Sequence, residues 1–394
     1  MSYTNPTSHL YYDIRVTNSD QYSGTIPRPQ VKFNETRSVP YIERPEDWSV
    51  SVVRFEVDTF GVSMPLMIPA IELGQINPNA LEARITLKYG ITSFTYQLVF
   101  IPENKSASVP VAPVGGFTTQ DNSQGYYNLN SFNSFIEIIN NGFTQAYLGL
   151  RTATGGGASP IATARAPFIQ IDQQGFCYIY SNEAFYDKNL GAGAYIEIFF
   201  DEGLYNYLSS FQYDYFGSGS LTIPYTRYRL SVYGSPVFAP QNRFNVTDAT
   251  GTYTCLVNFQ DFVALQSWNP VSGIIFKSQI LPIKPSLTGV PLILGAQSSS
   301  QQLATSNVVL NLTDLVVNNP DGKQYKPGVL YAPTAEYRLI DLFGTTPLYT
   351  IDIEVEWVDN YGNSYPLILS PGASATMKIL FRKKDFQQAK IIYE

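Results

Sequence analysis

Residues 350–357, Thr-Ile-Asp-Ile-Glu-Val-Glu-Trp, restrict the fold more than any other stretch of the chain. Ile351, Ile353, Val355 and Trp357 alternate with Asp352, Glu354 and Glu356. A period of two sends alternate side chains to opposite faces of a β-strand. One apolar face and one wet face belong to an antiparallel sheet that is packed on one side. Met377, Ile379 and Phe381 repeat the pattern in 375–381, and Trp48 to Val57 reads as a strong strand. Asp359-Asn-Tyr-Gly-Asn363 and Ser370-Pro-Gly372 supply the turn chemistry between such strands. The chain is therefore expected to end as a β-sandwich.

Further strand signals lie at 83–89 and 94–101, read as a hairpin around Gly90, and at 195–200, 228–233, 272–278 and 279–283. Another hairpin is expected from 166–171 and 175–180 around Asp172. One long helix interrupts them. Leu129, Phe132, Phe135, Ile136, Ile139, Phe143, Ala146, Tyr147 and Leu150 recur at helical spacing, with Asn130 or Ser131 as cap and Gly142 as an internal weak point. A short helix is expected after its cap Asp201, with Leu204, Leu208 and Phe211 on one face. Loops are expected at 102–125, 152–160 and 298–302, and over most of 212–247. The division that follows is an N-terminal arm over 1–47 with one strand at 9–16, a sandwich from 48–101 and 271–394, and an inserted β-rich domain over 102–270 with one or two helices.

Composition narrows the function. Of 394 residues, 44% are hydrophobic and only 14% charged, against roughly 25% in an average soluble domain. The chain holds 29 Tyr and 24 Phe. Few charges and many aromatics suit extensive contact with other protein, because interface cores lose charge and gain rings; aromatic strand formers in an ordinary all-β domain give the same count. Net charge is -7, which gives no overall attraction to nucleic acid. In the arm, Arg15, Arg28, Lys32, Arg37 and Arg44 nearly cancel Asp13, Asp20, Glu35, Glu43, Glu46 and Asp47, so direct nucleic-acid binding is not expected. Neither a secretory leader nor a membrane span is expected. Sequons at Asn34, Asn104, Asn245 and Asn311 are then incidental.

Residues able to do chemistry are scarce. His9 is the single histidine, which leaves no Ser-His-Asp or Cys-His set to build. Cys177 and Cys255 are expected to be buried thiols. Asp352, Glu354 and Glu356 share a strand face about 7 Å apart, at a rise of about 3.3 Å per residue. That spacing fits an inverting glycosidase, and equally any solvated strand face. Asn318-Asn-Pro-Asp-Gly322 and Asp359 to Asn363 are oxygen-rich turns that fit calcium or a plain turn. Arg382-Lys-Lys384 is the one basic cluster, a strand end or a contact with an acidic neighbour or with enclosed nucleic acid. No catalytic, cofactor-binding or metal site is expected.

Three segments carry a family resemblance: 126–140 (Tyr-Tyr-Asn-Leu-Asn-Ser-Phe onward), 196–211 (Ile-Glu-Ile-Phe-Phe-Asp-Glu-Gly-Leu onward) and 336–386. Together they resemble the penton, or vertex, capsid proteins of virophages, polinton-like viruses and adenoviruses. The resemblance covers about half the chain and rests on turn and strand residues. It implies a single jelly roll with a domain inserted between strands, five copies closing a capsid vertex, and contact with major capsid proteins. A spike or fibre protein is a further partner of such vertices. The arm would then reach to neighbours in the virion. No Arg-Gly-Asp is present, so integrin binding is not implied. Beside this reading stand a main shell-forming coat protein, and a β-sandwich carbohydrate-binding or adhesion protein.

Overall fold

Alternating segments fold here as antiparallel pairs. The structure, a computed structural model, describes residues 8–18, 30–57, 64–67, 80–102, 126–129, 131–216, 226–234, 242–249, 251–264, 268, 270–283, 308–312, 329–331, 339–359, 364–367, 369 and 373–384. Strands β1 (His9–Thr17), β2 (Lys32–Thr36), β3 (Trp48–Val57), β4 (Met64–Met67), β5 (Ala80–Tyr89), β6 (Thr92–Val99) and β7 (Tyr127–Leu129) precede helix α1 (Phe132–Ala153). Next come β8 (Phe168–Ile171), β9 (Cys177–Asn182), α2 (Glu183–Tyr186), β10 (Ile196–Phe200), α3 (Glu202–Tyr207), β11 (Tyr213–Tyr215), β12 (Tyr228–Leu230), β13 (Arg243–Asp248) and β14 (Gly251–Phe259). The remainder is β15 (Val271–Lys277), β16 (Val308–Leu312), β17 (Val329–Tyr331), β18 (Ile340–Asp341), β19 (Thr350–Asp359), β20 (Ser364–Pro366) and β21 (Ser374–Lys383). The expected turns at 298–302, 318–322, 360–363 and 370–372 lie outside the described residues, as does most of the expected loop at 102–125.

The chain divides into two units. One takes residues 1–63, 270–320 and 326–394, the other 64–269 and 321–325. In the first, one sheet runs β1-β21-β3-β17 with β18 also on β3, and a second runs β16-β15-β19-β2 with β20 also on β19. Ile351, Ile353, Val355 and Trp357 are all buried, as the alternation requires, and so are Ala375, Met377, Ile379 and Phe381. The inner faces of the sheets meet where Phe55 packs edge-on against Phe276, ring centres 5.2 Å apart. This is a two-sheet sandwich of the jelly-roll kind.

Strand β3 breaks strict alternation. Val50 and Val52 are buried, and so are Phe55 and Val57. Their partners Phe381, Ile379, Met377 and Ala375 keep one phase, because the register shifts between Lys378 and Ile379. The extra residue of this β-bulge lets both halves of β3 face inward.

The strand expected in the arm at 9–16 forms as β1, and β2 is a second one there. β1 pairs along all nine of its residues with β21, and β2 pairs with β19. Between them, Arg37 lies over the rings of Tyr12 and Tyr41 at 4.8 and 4.7 Å, and Tyr12 donates to Glu35. These cation-π contacts and the paired backbone tie the segment into the sandwich.

In the second unit, α1 is capped by Ser131, whose hydroxyl accepts from the Asn133 amide at 3.1 Å. Its buried face includes Phe135, Ile139, Phe143, Ala146 and Leu150. One sheet runs β11-β12-β10-β5-β6 and another β13-β14-β9-β8, with β4 paired to β7. Gly142 is a site of close approach: a Cβ there would come 2.2 Å from Leu98 Cδ2 on β6. The expected weak point is where helix and sheet need the least bulk.

The expected boundary near 101 is displaced. β5 and β6 pair as expected, but β5 also pairs with β10, and Ile85, Leu87 and Leu98 bury in the core of the second unit. Alternation identifies a strand without saying which sheet receives it. Three further differences are local. β11 and β13 lie in the stretch read as loops, the first too short and the second too exposed to show a pattern. Residues 279–283 form a bend, with Ile283 bridged to Leu342. A turn of 3-10 helix, Gly156–Ala158, lies in the expected glycine loop.

Gly203 on α3 gives a test. A Cβ there would stand 2.1 Å from the Glu82 carbonyl oxygen, which is backbone and cannot rotate away. Gly203→Ala is expected to lose about 1–3 kcal/mol in denaturant unfolding. Gly157→Ala, with no atom within 4 Å of the new Cβ, is expected to leave the midpoint in place.

Candidate assembly surfaces

The acidic strand is committed internally. Asp352 is only 4% exposed, a correction to the expected wet face. Ser278 Oγ donates to it at 2.5 Å, and the Gln279 and Ile280 amides donate at 2.9 and 3.0 Å. This carboxylate thus fixes the bend that follows β15. Glu354 pairs with Lys32 and Glu356 with Lys277. The three carboxylates hold three separate junctions, and among the described residues they form no facing pair of the kind a glycosidase needs.

The basic cluster behaves alike. Lys384 Nζ donates to the carbonyls of Glu46 and Leu342 at 3.0 and 3.2 Å and lies 3.5 Å from Asp341. Lys383 donates its amide to the Ser8 carbonyl at 2.9 Å. Arg382 stands across the sheet from His9, which is exposed and hydrogen-bonded to the Ser8 hydroxyl at 2.8 Å. Asp359 is buried, with the Tyr365 hydroxyl 3.4 Å away. Among the described residues no three His, Cys, Asp or Glu side chains gather as a metal site, and no helix is long and apolar enough to cross a membrane.

Cys177 and Cys255 are buried free thiols. Burial, with the nearby Asp172 charge, pushes Cys177 up to about 12. Burial alone pushes Cys255 to about 11 and the Tyr127 hydroxyl to about 12.

What the surface does present is aromatic. The sheet β13-β14-β9-β8 turns Ile169, Cys177, Ile179 and Leu256 into the core. Cross-strand pairing puts Phe168, Tyr180 and Val257 on its opposite face. There Phe168 stacks on Tyr180 at 4.7 Å, Phe244 meets Tyr180 edge-on, and Tyr178 meets Phe259 edge-on at 5.5 Å. Phe244 and Phe259 remain 46% and 45% exposed. This face was not found from the sequence, although Phe244, Val246, Tyr253 and Cys255 flank Asp248 and Gly251 in hairpin fashion. Its signal was masked by the polar residues between them.

The other sheet of this unit carries charge on its outer side. Arg229 reaches Glu197 at 2.6 Å and Asp214 at 2.7 Å, while Lys88 and Lys188 add pairs at 3.2 Å. Its hydrogen bond from Arg229, aided by Lys188 and opposed by burial, holds Asp214 below the ordinary carboxylate range. In the first unit β1 is an edge strand with Tyr11 53% exposed. An edge strand offers unpaired backbone groups to a neighbour.

Comparison with known proteins places this arrangement. The family model described as Sputnik minor capsid protein V18/19 matches residues 10–383. Structural protein V19 of the Sputnik virophage is 30% identical over 129 residues, 33% of this chain; the match spans 56% of V19. Protein V18 of the same virophage is 27% identical over 153 residues, 38% of this chain and 88% of V18. Among solved structures, a chain of the Sputnik virophage particle superposes with a TM-score of 0.74 at 22% identity, over 96% of this chain and 98% of that one. The mavirus penton protein superposes with a TM-score of 0.60 at 16% identity, over 95% and 99%.

These groups give outcomes that can be measured. Asp352→Ala strips the acceptor from three donors and should lower unfolding free energy by about 3 kcal/mol. Glu354→Gln, which breaks a more exposed pair, should cost under about 1 kcal/mol, both read from urea midpoints. For the thiols and Tyr127, folded values above the ordinary ones mean that folding favours the protonated forms. Their contribution is complete below about pH 8.5, the ordinary thiol range, and fades as pH rises towards the folded values near 11–12. Midpoints measured against pH should hold to about pH 8.5 and fall beyond it. A thiol reagent at about pH 8 should label neither cysteine until denaturant is added.

Proposed function

The chain belongs to the Sputnik minor capsid protein V18/19 family, and we propose that it is a viral structural protein forming the pentameric vertex of an icosahedral shell. Its partners are four further copies of itself and neighbouring major capsid proteins, and its place is the virion. The observation that carries the reading is that the likeness to a penton protein extends over 95% of the chain, and so over both units rather than the sandwich alone.

Physical features agree. Charged side chains are few and many are tied up internally, as at Asp352, Glu356 and Lys384. The surface keeps aromatic rings that water does not favour, notably Phe244 and Phe259 on one sheet face. Obligate interfaces bury about 2000 Å² or more and are rich in such rings. A ring of five subunits applies one patch pair five times, so modest contacts close a stable assembly. The role is structural and asks for no catalytic group.

Purified protein should sediment and scatter as a pentamer, with five-fold rings in negative stain. Phe244→Glu with Phe259→Glu places charge on the aromatic face and is expected to shift the species towards a monomer that keeps the wild-type far-UV circular dichroism. A wild-type protein that stays monomeric at high concentration, alone and with major capsid protein, contradicts the vertex role.

A further inference from the structure

At the edge of the sheet β11-β12-β10-β5-β6, four tyrosines and a phenylalanine line a cleft of about 360 Å³: Tyr205, Phe211, Tyr213, Tyr215 and Tyr228. The register sets Tyr215 opposite Tyr228 and Tyr213 opposite Leu230, so these side chains share one face. Above them α3 lays Tyr205 on Tyr228, ring centres 3.7 Å apart and 7° from parallel. Tyr213 stands edge-on to both, at 5.2 Å from Tyr205 and 6.4 Å from Tyr228. Its hydroxyl donates to the Leu208 carbonyl at 2.8 Å, which fixes this ring as a wall.

The remaining groups are available. Tyr215 is 63% exposed, tilted 39° to Tyr228 at 5.2 Å. The hydroxyls of Tyr205, Tyr215 and Tyr228 make no hydrogen bond among the described residues, though each can donate and accept. Among the described residues no charged side chain lines the cleft. At the neighbouring positions Arg227 and Glu202 neutralise each other at 3.2 Å.

From this chemistry we propose that the cleft binds a neutral oligosaccharide. Sugar rings present a face of C–H groups that suits the negative face of an aromatic ring, and a rim of hydroxyls that suits phenolic oxygens. The volume lies at the lower end of small-molecule sites, roughly 300–1,000 Å³, and holds one or two sugar rings. Stacked nucleobases need the same rings but also cations for the phosphates, and none of the described residues that line the cleft is a cation. The proposal does not depend on the vertex role, because any subunit bearing this edge would carry the site.

The test is an array of defined neutral and acidic oligosaccharides probed with the full chain, followed by titration of the best neutral ligand. Neutral glycans should be retained in preference to sialylated or sulfated ones. Tyr215→Ala should weaken the titrated affinity at least tenfold, about 1.4 kcal/mol. Tyr215→Phe, which keeps the ring, should lose less, and Tyr11→Ala in the other unit should change nothing. Thermal unfolding checks that each variant is folded. A blank array, preference for acidic glycans, retention of an oligo(dT) strand in place of sugars, or affinity unmoved by Tyr215→Ala in a folded protein would each overturn the proposal.

Discussion

Insertion of β21 between β1 and β3 is the pairing on which the sandwich depends. Residues 374–383 supply the neighbour for 9–17 on one side and for 48–57 on the other. Among the described residues β1 has no other partner strand, and β3 has besides only the short β17 and β18. Asn18 shows the span involved: its side-chain amide donates to the Leu369 carbonyl across 351 positions. Contacts this distant carry a loop-closure cost before any of them forms, so a sandwich of this topology is expected to fold slowly. The bulge in β3 is part of the same solution. It lets two runs of apolar residues with opposite phase face one partner strand.

Aromatic residues do different work in different places. In the core of the second unit Phe135 meets Trp268 and Tyr207 edge-on, which fixes α1 against its surroundings. Near the start of the chain the Arg37 guanidinium lies over the edge-on pair of Tyr12 and Tyr41 and ties β1 to the segment after β2. On the surface Phe244, Phe259 and Tyr215 stay exposed. The first two uses stabilise the fold, and the third is left for contacts with other molecules.

Scarce charges are spent on geometry. Asp352 holds a bend, Asp201 caps α3 by accepting from the Leu204 amide at 2.9 Å, and Lys384 joins two loop carbonyls. Arg229 bridges two carboxylates on one sheet face. A surface with so few uncommitted charges has little to hold its solvation shell against a partner, which fits a protein whose work is assembly.

The sequence by itself determined the strands whose two faces differ, such as β19 and β21, and the helix α1 with its Ser131 cap, because burial on one side writes a period into the residues. It also determined the short capped helix α3 and the scarcity of catalytic groups. The strand at 9–16 was legible too, but only the tertiary structure decided that 9–17 joins β21 and that 32–36 is a strand on β19, since an edge strand and a free extended segment have the same local pattern. It moved β5 and β6 into the second unit, because pairing partners lie outside any local window. It turned Asp352 inward, where a single buried acceptor is satisfied by amides from another part of the chain. The tyrosine cleft was invisible for the same reason: its rings come from α3, the turn after it, β11 and β12, and only the fold brings them together.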